Sequence, residues 1–237
     1  MTAQDTIASA ADPDGKWFYR VGGISAFVLF VGYLLTFPVY AWVGDAPPSG
    51  VEAQLSYFAE HATGWWVILG LMVFTDLLYI PIFSSLYQAL RGINRSVMLL
   101  ASGFIGLFVA LDLAVTWTAY FALITSGGSY AAATTDAQRA VFVAAGSYPS
   151  AILDSPLLGA YAILIPSLGV LLTGLVMLRD IFNKTTAYLA LAMGITGIIF
   201  MGSYVVGALN VFRIINALLA TVWYLLIGYR LYRLGRQ

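Results

Sequence analysis

Apolar residues run along this chain in six long stretches separated by polar breaks, at about 21–43, 65–90, 96–125, 156–178, 186–208 and 211–232. Each reaches the roughly 20 residues with which a helix rising about 1.5 Å per residue crosses about 30 Å of hydrocarbon. The pattern predicts an all-α, polytopic transmembrane bundle of six helices. It forms a single domain over 21–232, between a polar tail at 1–20 and a basic end at 233–237. Short links after the second, fourth and fifth stretches make those helices antiparallel to the ones that follow.

The two longer breaks each predict a short amphipathic helix. Ser49-Gly50-Val51-Glu52, after Pro47 and Pro48, has the form of a capping box, and Val51, Leu55, Phe58 and Ala62 then share one face. Thr135-Asp136-Ala137-Gln138 opens the second, which is expected to end near Gly146. Such helices either lie flat over the mouth of the bundle or simply reconnect distant helix ends. In the third stretch Ser102, Gly106, Ala110, Ala114, Thr118 and Ala122 recur every four residues, a stripe along which another helix can approach closely. Asp112 lies on the other face, so this helix is expected at the centre of the bundle. Pro81 and Pro166 each remove a backbone donor and predict kinks in the second and fourth helices.

Charge adds an orientation. Lys16, Arg20, Arg91, Arg95, Arg179, Lys184, Arg230, Arg233 and Arg236 fall on one side of the predicted membrane, against only Arg139 and Arg213 on the other. Basic residues near short loops resist translocation, which places both termini in the cytoplasm and the two loop helices outside. Trp17, Trp42, Trp65, Trp66 and Tyr229 stand at helix ends, where an amphipathic ring suits the interface. The N-terminal segment lacks the basic and apolar regions of a cleaved signal, so the first helix is expected to serve as its own signal.

Composition narrows the chemistry. With 61% hydrophobic and 9% charged residues and a mean hydropathy of +0.87, the chain leaves too little outside the membrane for a soluble catalytic domain. Eleven basic residues balance eleven acidic ones, so no excess points to nucleic acid. Cysteine is absent and His61, beside Glu60, is the only histidine. That excludes disulfides, thiolate metal sites, a bis-histidine haem and an HExxH zinc site. Lys16 and Lys184 lie at interfaces, and no GxSxG elbow or phosphate-binding glycine loop is present. No catalytic residue, metal or cofactor is predicted.

The polar residues inside the apolar stretches are the candidates for function. Asp76 stands eleven residues from Trp65, about 16 Å deep. A carboxylate at mid-helix costs about 2.5–3.5 kcal/mol on insertion scales, so it must face the interior, find a partner or carry a proton. Asp112 belongs to the outer half and shares a face with Thr116 and Tyr120. Arg213 opens the sixth helix between Asn210 and Asn216, Asp154 stands at the entrance of the fourth, and Ser203 and Tyr204 end the fifth. These similar depths predict an outward-facing polar cavity lined by Asp76, Asp112 and Arg213 with Asp154 and the two asparagines. The bland alternative is a buried Asp-Arg bridge that pins helices, with Asp154 as a cap.

The run FTDLLYIPIFSSLYQALRGINRSVMLLAS, with Asp76 before Leu86, Tyr87 and Leu90 and then Arg91 and Arg95, together with the ending ATVWYLLIGYRLYRLGRQ, resembles a family of multi-helix bacterial membrane proteins catalogued as a domain of unknown function. The resemblance implies a helical membrane fold and a bacterial inner membrane, and carries over no catalytic residue. The functional expectation is binding or transport of a small solute or lipid-like ligand. An intramembrane lipid-modifying enzyme using paired aspartates and an accessory subunit remain alternatives. The expected partners are membrane lipids, a small-molecule ligand, and a second copy or another subunit of a membrane complex.

Overall fold

A computed structural model describes residues 13–179 and 182–237; the polar segment expected at the extreme N-terminus falls outside them, up to residue 12. The described chain is all-helical. In order it forms α1 (Pro13–Val43), α2 (Val51–Glu60), α3 (Ala62–Leu111), a π-helical turn (Asp112–Trp117), α4 (Thr118–Ala132), α5 (Asp136–Leu153) and α6 (Pro156–Gly159). A second π-helical turn (Ala160–Leu164), α7 (Ile165–Met177), α8 (Lys184–Met201), two 3-10 turns (Gly202–Tyr204 and Gly207–Asn210) and α9 (Val211–Leu234) follow. Five continuous helical stretches are long and apolar enough to cross a membrane: Gly15–Val43, Ala62–Ala132, Pro156–Met177, Lys184–Tyr204 and Gly207–Leu234.

The longest of these doubles back on itself. Asn94 leaves helical geometry at φ −153° and ψ 91°. Its side chain accepts a hydrogen bond from the Val97 amide at 3.1 Å, the bond of an N-cap, so a new helical segment starts there. Trp117 then reaches Asp76 across 41 residues of sequence at 2.7 Å, a separation that an unbroken helix would stretch to about 60 Å. The two arms of this hairpin run side by side.

Around the hairpin the long helices close a ring, in which α1 packs between α9 and α3, α7 between α3 and α8, and α8 against α9. Backbones touch along α1 and α9. A side chain on Gly23 would sit 2.6 Å from the Tyr232 amide nitrogen, and one on Gly228 would sit 3.1 Å from the Gly23 carbonyl oxygen. The two ends of the chain meet on one side, where Lys16 Nζ donates to Gln237 O at 3.0 Å and Arg20 Nε to Gly235 O at 2.7 Å. The main apolar core, with Leu29, Phe83, Leu86, Leu90, Trp223 and Ile227, fills the ring. A second cluster, with Leu55, Phe58, Trp65, Ile68 and Trp117, joins α2 to the top of the hairpin.

Several local expectations change. The helix containing Pro13 begins well before residue 21, because a proline in the first turn loses no bond that a helix start would use. Helix α2 has no capping box: Gly50, at φ 92°, is the N-cap and makes no side-chain cap bond. Thr135 does cap α5, accepting from the Gln138 amide at 3.2 Å, but that helix continues past Gly146 to Leu153. Gly146 is a packing position, since a Cβ there would meet Val51 at 3.0 Å. Helix α8 ends at Met201, before the two 3-10 turns. Helix α3 continues through Pro81, while Pro166 follows a widened π turn that absorbs its missing donor. Trp65 is an internal residue at 1% exposure, whereas Trp17, Trp42, Trp66 and Tyr229 remain exposed.

The small-residue stripe also reads differently. Gly106, Ala110, Ala114 and Thr118 are exposed, and a side chain on Gly106 would meet nothing within 4 Å. The neighbouring helix approaches this arm at Ala101 and Ile105 instead, where Gly169 of α7 would bring a Cβ to 2.9 Å from Ala101 O. Spacing of four marks a face without saying what that face touches.

Candidate functional site: a buried carboxyl pair

Asp76 and Asp112 lie eighteen residues to either side of Asn94, so the turn of the hairpin brings them to the same level. Both are enclosed, at 6% and 4% exposure. Trp117 Nε1 donates to Asp76 Oδ2 at 2.7 Å, and the Asp112 carboxyl adjoins both Asp76 and the same indole. Thr116, at 3% exposure, stands one turn beyond Asp112. Oδ1 of Asp112 and Oγ1 of Thr116 are nonetheless buried without a hydrogen bond of acceptable geometry. The groups acting on the two carboxyls are each other, Trp117 and Thr116, and none is a base.

The local backbone is what gathers them. Residues 112–117 form a π-helical turn, which carries one residue more than an α turn and so rotates the side chains that follow. Asp112, Thr116 and Trp117 are all buried on it. Such a turn also releases a carbonyl from the regular ladder; Leu113 O is taken up by the Thr118 hydroxyl at 3.0 Å.

Tyrosines continue the polar layer away from the pair. Tyr79, one turn after Asp76, shares a short hydroxyl–hydroxyl hydrogen bond with Tyr33 of α1. Tyr224 of α9 packs edge-on to both rings at 5.5 and 5.8 Å, its hydroxyl beside that of Tyr79 but outside hydrogen-bond geometry. On the α2 side the layer is roofed by aromatic rings: Tyr120 stacks on Trp65 at 5.0 Å and on Trp117 at 5.3 Å. The main apolar core closes the other side, and Leu113 packs against both clusters.

Four of the eight sequence-predicted residues therefore come together: Asp76, Asp112, Thr116 and Tyr120. The others do not join them. Arg213 is exposed and makes neither a hydrogen bond nor an ion pair among the described residues, although it lies within electrostatic reach of Tyr40 and Tyr120. Asn216 ties α9 to α8, donating to Met193 O at 2.6 Å and to Thr196 Oγ1 at 3.2 Å. Asn210 is exposed in a 3-10 turn. Asp154 accepts from the Gly50 amide and from Gln54 Nε2, both at 3.0 Å, and so clips the start of α2 to the end of α5, while Ser155 performs the capping of α6. Gln54 is 1% exposed, so Asp154→Ala leaves a buried amide without its acceptor. A loss of about 1–3 kcal/mol is expected, with faster hydrogen exchange confined to Val51–Glu60.

Two shallow clefts flank the loop helices, about 240 Å³ beside Trp42, Glu60 and His61 and about 440 Å³ beside Glu52, Tyr130 and Arg139. Neither is lined by any of the eight predicted residues. His61 stacks on Tyr57 at 4.4 Å, in the first of them. Among the described residues no group of three or more histidines and carboxylates is assembled for a metal ion.

No family model, curated protein or solved structure matches this chain. Function must be argued from the pair itself. Sequence reasoning missed Trp117, Tyr33, Tyr79 and Tyr224, which look like ordinary core aromatics. The available signals were the i+3 spacing of Asp76 and Tyr79 and the equal distances of the two aspartates from the Asn94 turn.

Proposed function

We propose that this chain is a six-crossing protein of the bacterial inner membrane, both ends in the cytoplasm, that binds or transports a small solute through its buried carboxyl pair. The reversal at Asn94 supports counting the longest apolar stretch as two crossings, and the bias of basic residues supports the orientation. The observation that carries the functional reading is two carboxyls enclosed side by side in a helical bundle with no basic partner. Ionisable groups at such depth are expensive, and they mark proton and ion pathways more often than packing. A structural pin would be better served by an Asp-Arg bridge, and Arg213 does not form one.

A lipid-modifying enzyme is less well supported, because the pair is walled by helices and aromatic rings, away from acyl chains. Native mass spectrometry of the wild type and Asp76→Asn, purified alike, tests the reading. A small molecule retained by the wild type and lost from the variant is expected. No ligand in either, with the variant clearly less stable, would leave a structural bridge in an accessory subunit.

A further inference from the structure

We propose that the carboxyl pair binds a small hard metal cation, sodium being the probe, with Thr116 as a ligand. The inference rests on the proposed role of the pair and supplies the chemistry of its occupant. Asp112 Oδ1 and Thr116 Oγ1 are more than nine-tenths buried, lie one turn apart on the same π-helical segment, and make no hydrogen bond of acceptable geometry among the described residues. Buried polar atoms are almost always satisfied, so two unsatisfied oxygens beside a second carboxyl point to a ligand that accepts their lone pairs.

That ligand is a hard cation, since every group turned to it is an oxygen and the one N–H nearby, of Trp117, is spent on Asp76 Oδ2. Stacked rings wall the pair, which favours a small occupant. Locally widened or unwound helix lined by hydroxyls and carboxylates is a recurring way of holding sodium in membrane proteins.

The titratable groups facing the pair are Tyr33 and Tyr40 of α1, Tyr79 of α3 and Tyr120 of α4. Arg213, the cation within reach of Tyr40 and Tyr120, makes no ion pair among the described residues.

The test is thermal unfolding of the purified full chain in sodium chloride against choline chloride at equal ionic strength, in wild type, Thr116→Ser, Thr116→Val and Asp112→Asn. With sodium tenfold above its dissociation constant, a rise in Tm of about 3–5 °C is expected in the wild type and in Thr116→Ser. The rise should vanish in Thr116→Val and Asp112→Asn. If Asp112→Asn does not fold, the contrast between Ser and Val at 116 decides. Identical curves in the two salts would overturn the cation site, and so would a sodium shift that survives in Thr116→Val. A solute still retained by the wild type and lost from Asp76→Asn would, in that event, leave the proposed binding function standing without sodium.

Discussion

Trp117→Phe is expected to destabilise the protein by about 1.5–3 kcal/mol, because it strips a buried carboxyl oxygen of the indole N–H that donates to it while leaving the carboxyl in place. For a chain of this size the loss corresponds to a fall in Tm of about 3–12 °C. The informative comparison is the double variant Asp76→Leu with Trp117→Phe. Removing both partners leaves no unpaired N–H and one buried carboxyl fewer, with Asp112 still held beside Thr116, and replacing buried polar pairs by apolar groups is often neutral or stabilising. The double variant should therefore regain part of the lost stability. Equal destabilisation in the single and double variants would show that the indole matters for its volume. Thermal unfolding in one detergent reads both.

Gly23→Val should have the largest effect of any single substitution outside the carboxyl layer. The new side chain would stand 2.6 Å from the amide nitrogen and 2.9 Å from the Cα of Tyr232, and backbone atoms cannot swing aside as a side-chain tip can. The helices α1 and α9 must separate, which opens the ring that encloses Tyr33 and Tyr224. Overpacking of this kind costs about 1–3 kcal/mol and occasionally more. Gly106→Val is the matched control, with nothing within 4 Å of its Cβ, and should leave Tm within about 1 °C. Reduced monodisperse yield for the first variant and an unchanged yield for the second are the expected result in size-exclusion chromatography.

These two glycines show where reading a sequence stops. Both sit in apolar helices, and Gly106 even belongs to a regular stripe of small residues, yet only Gly23 touches another backbone. Periodicity reports that a face is smooth. Which partner lies against it depends on the order of helices around the ring, and no local pattern encodes that order.

What the sequence determined alone is the helical, membrane-spanning character of the chain and the depth of its polar residues. Hydrocarbon leaves an uninterrupted apolar run of this length no alternative to a helix, and a fixed rise per residue converts position into depth. Depth placed Asp76 and Asp112 among the residues to watch, and equally suggested Arg213, Asn210, Asn216 and Asp154. Only the tertiary structure separated them. The Asn94 reversal set the two aspartates face to face, the π turn swung Thr116 and Trp117 toward them, and lateral packing left Arg213 outside and gave Asn216 and Asp154 to helix contacts. Depth is a local property of a helix, whereas adjacency around its axis is a property of the whole bundle.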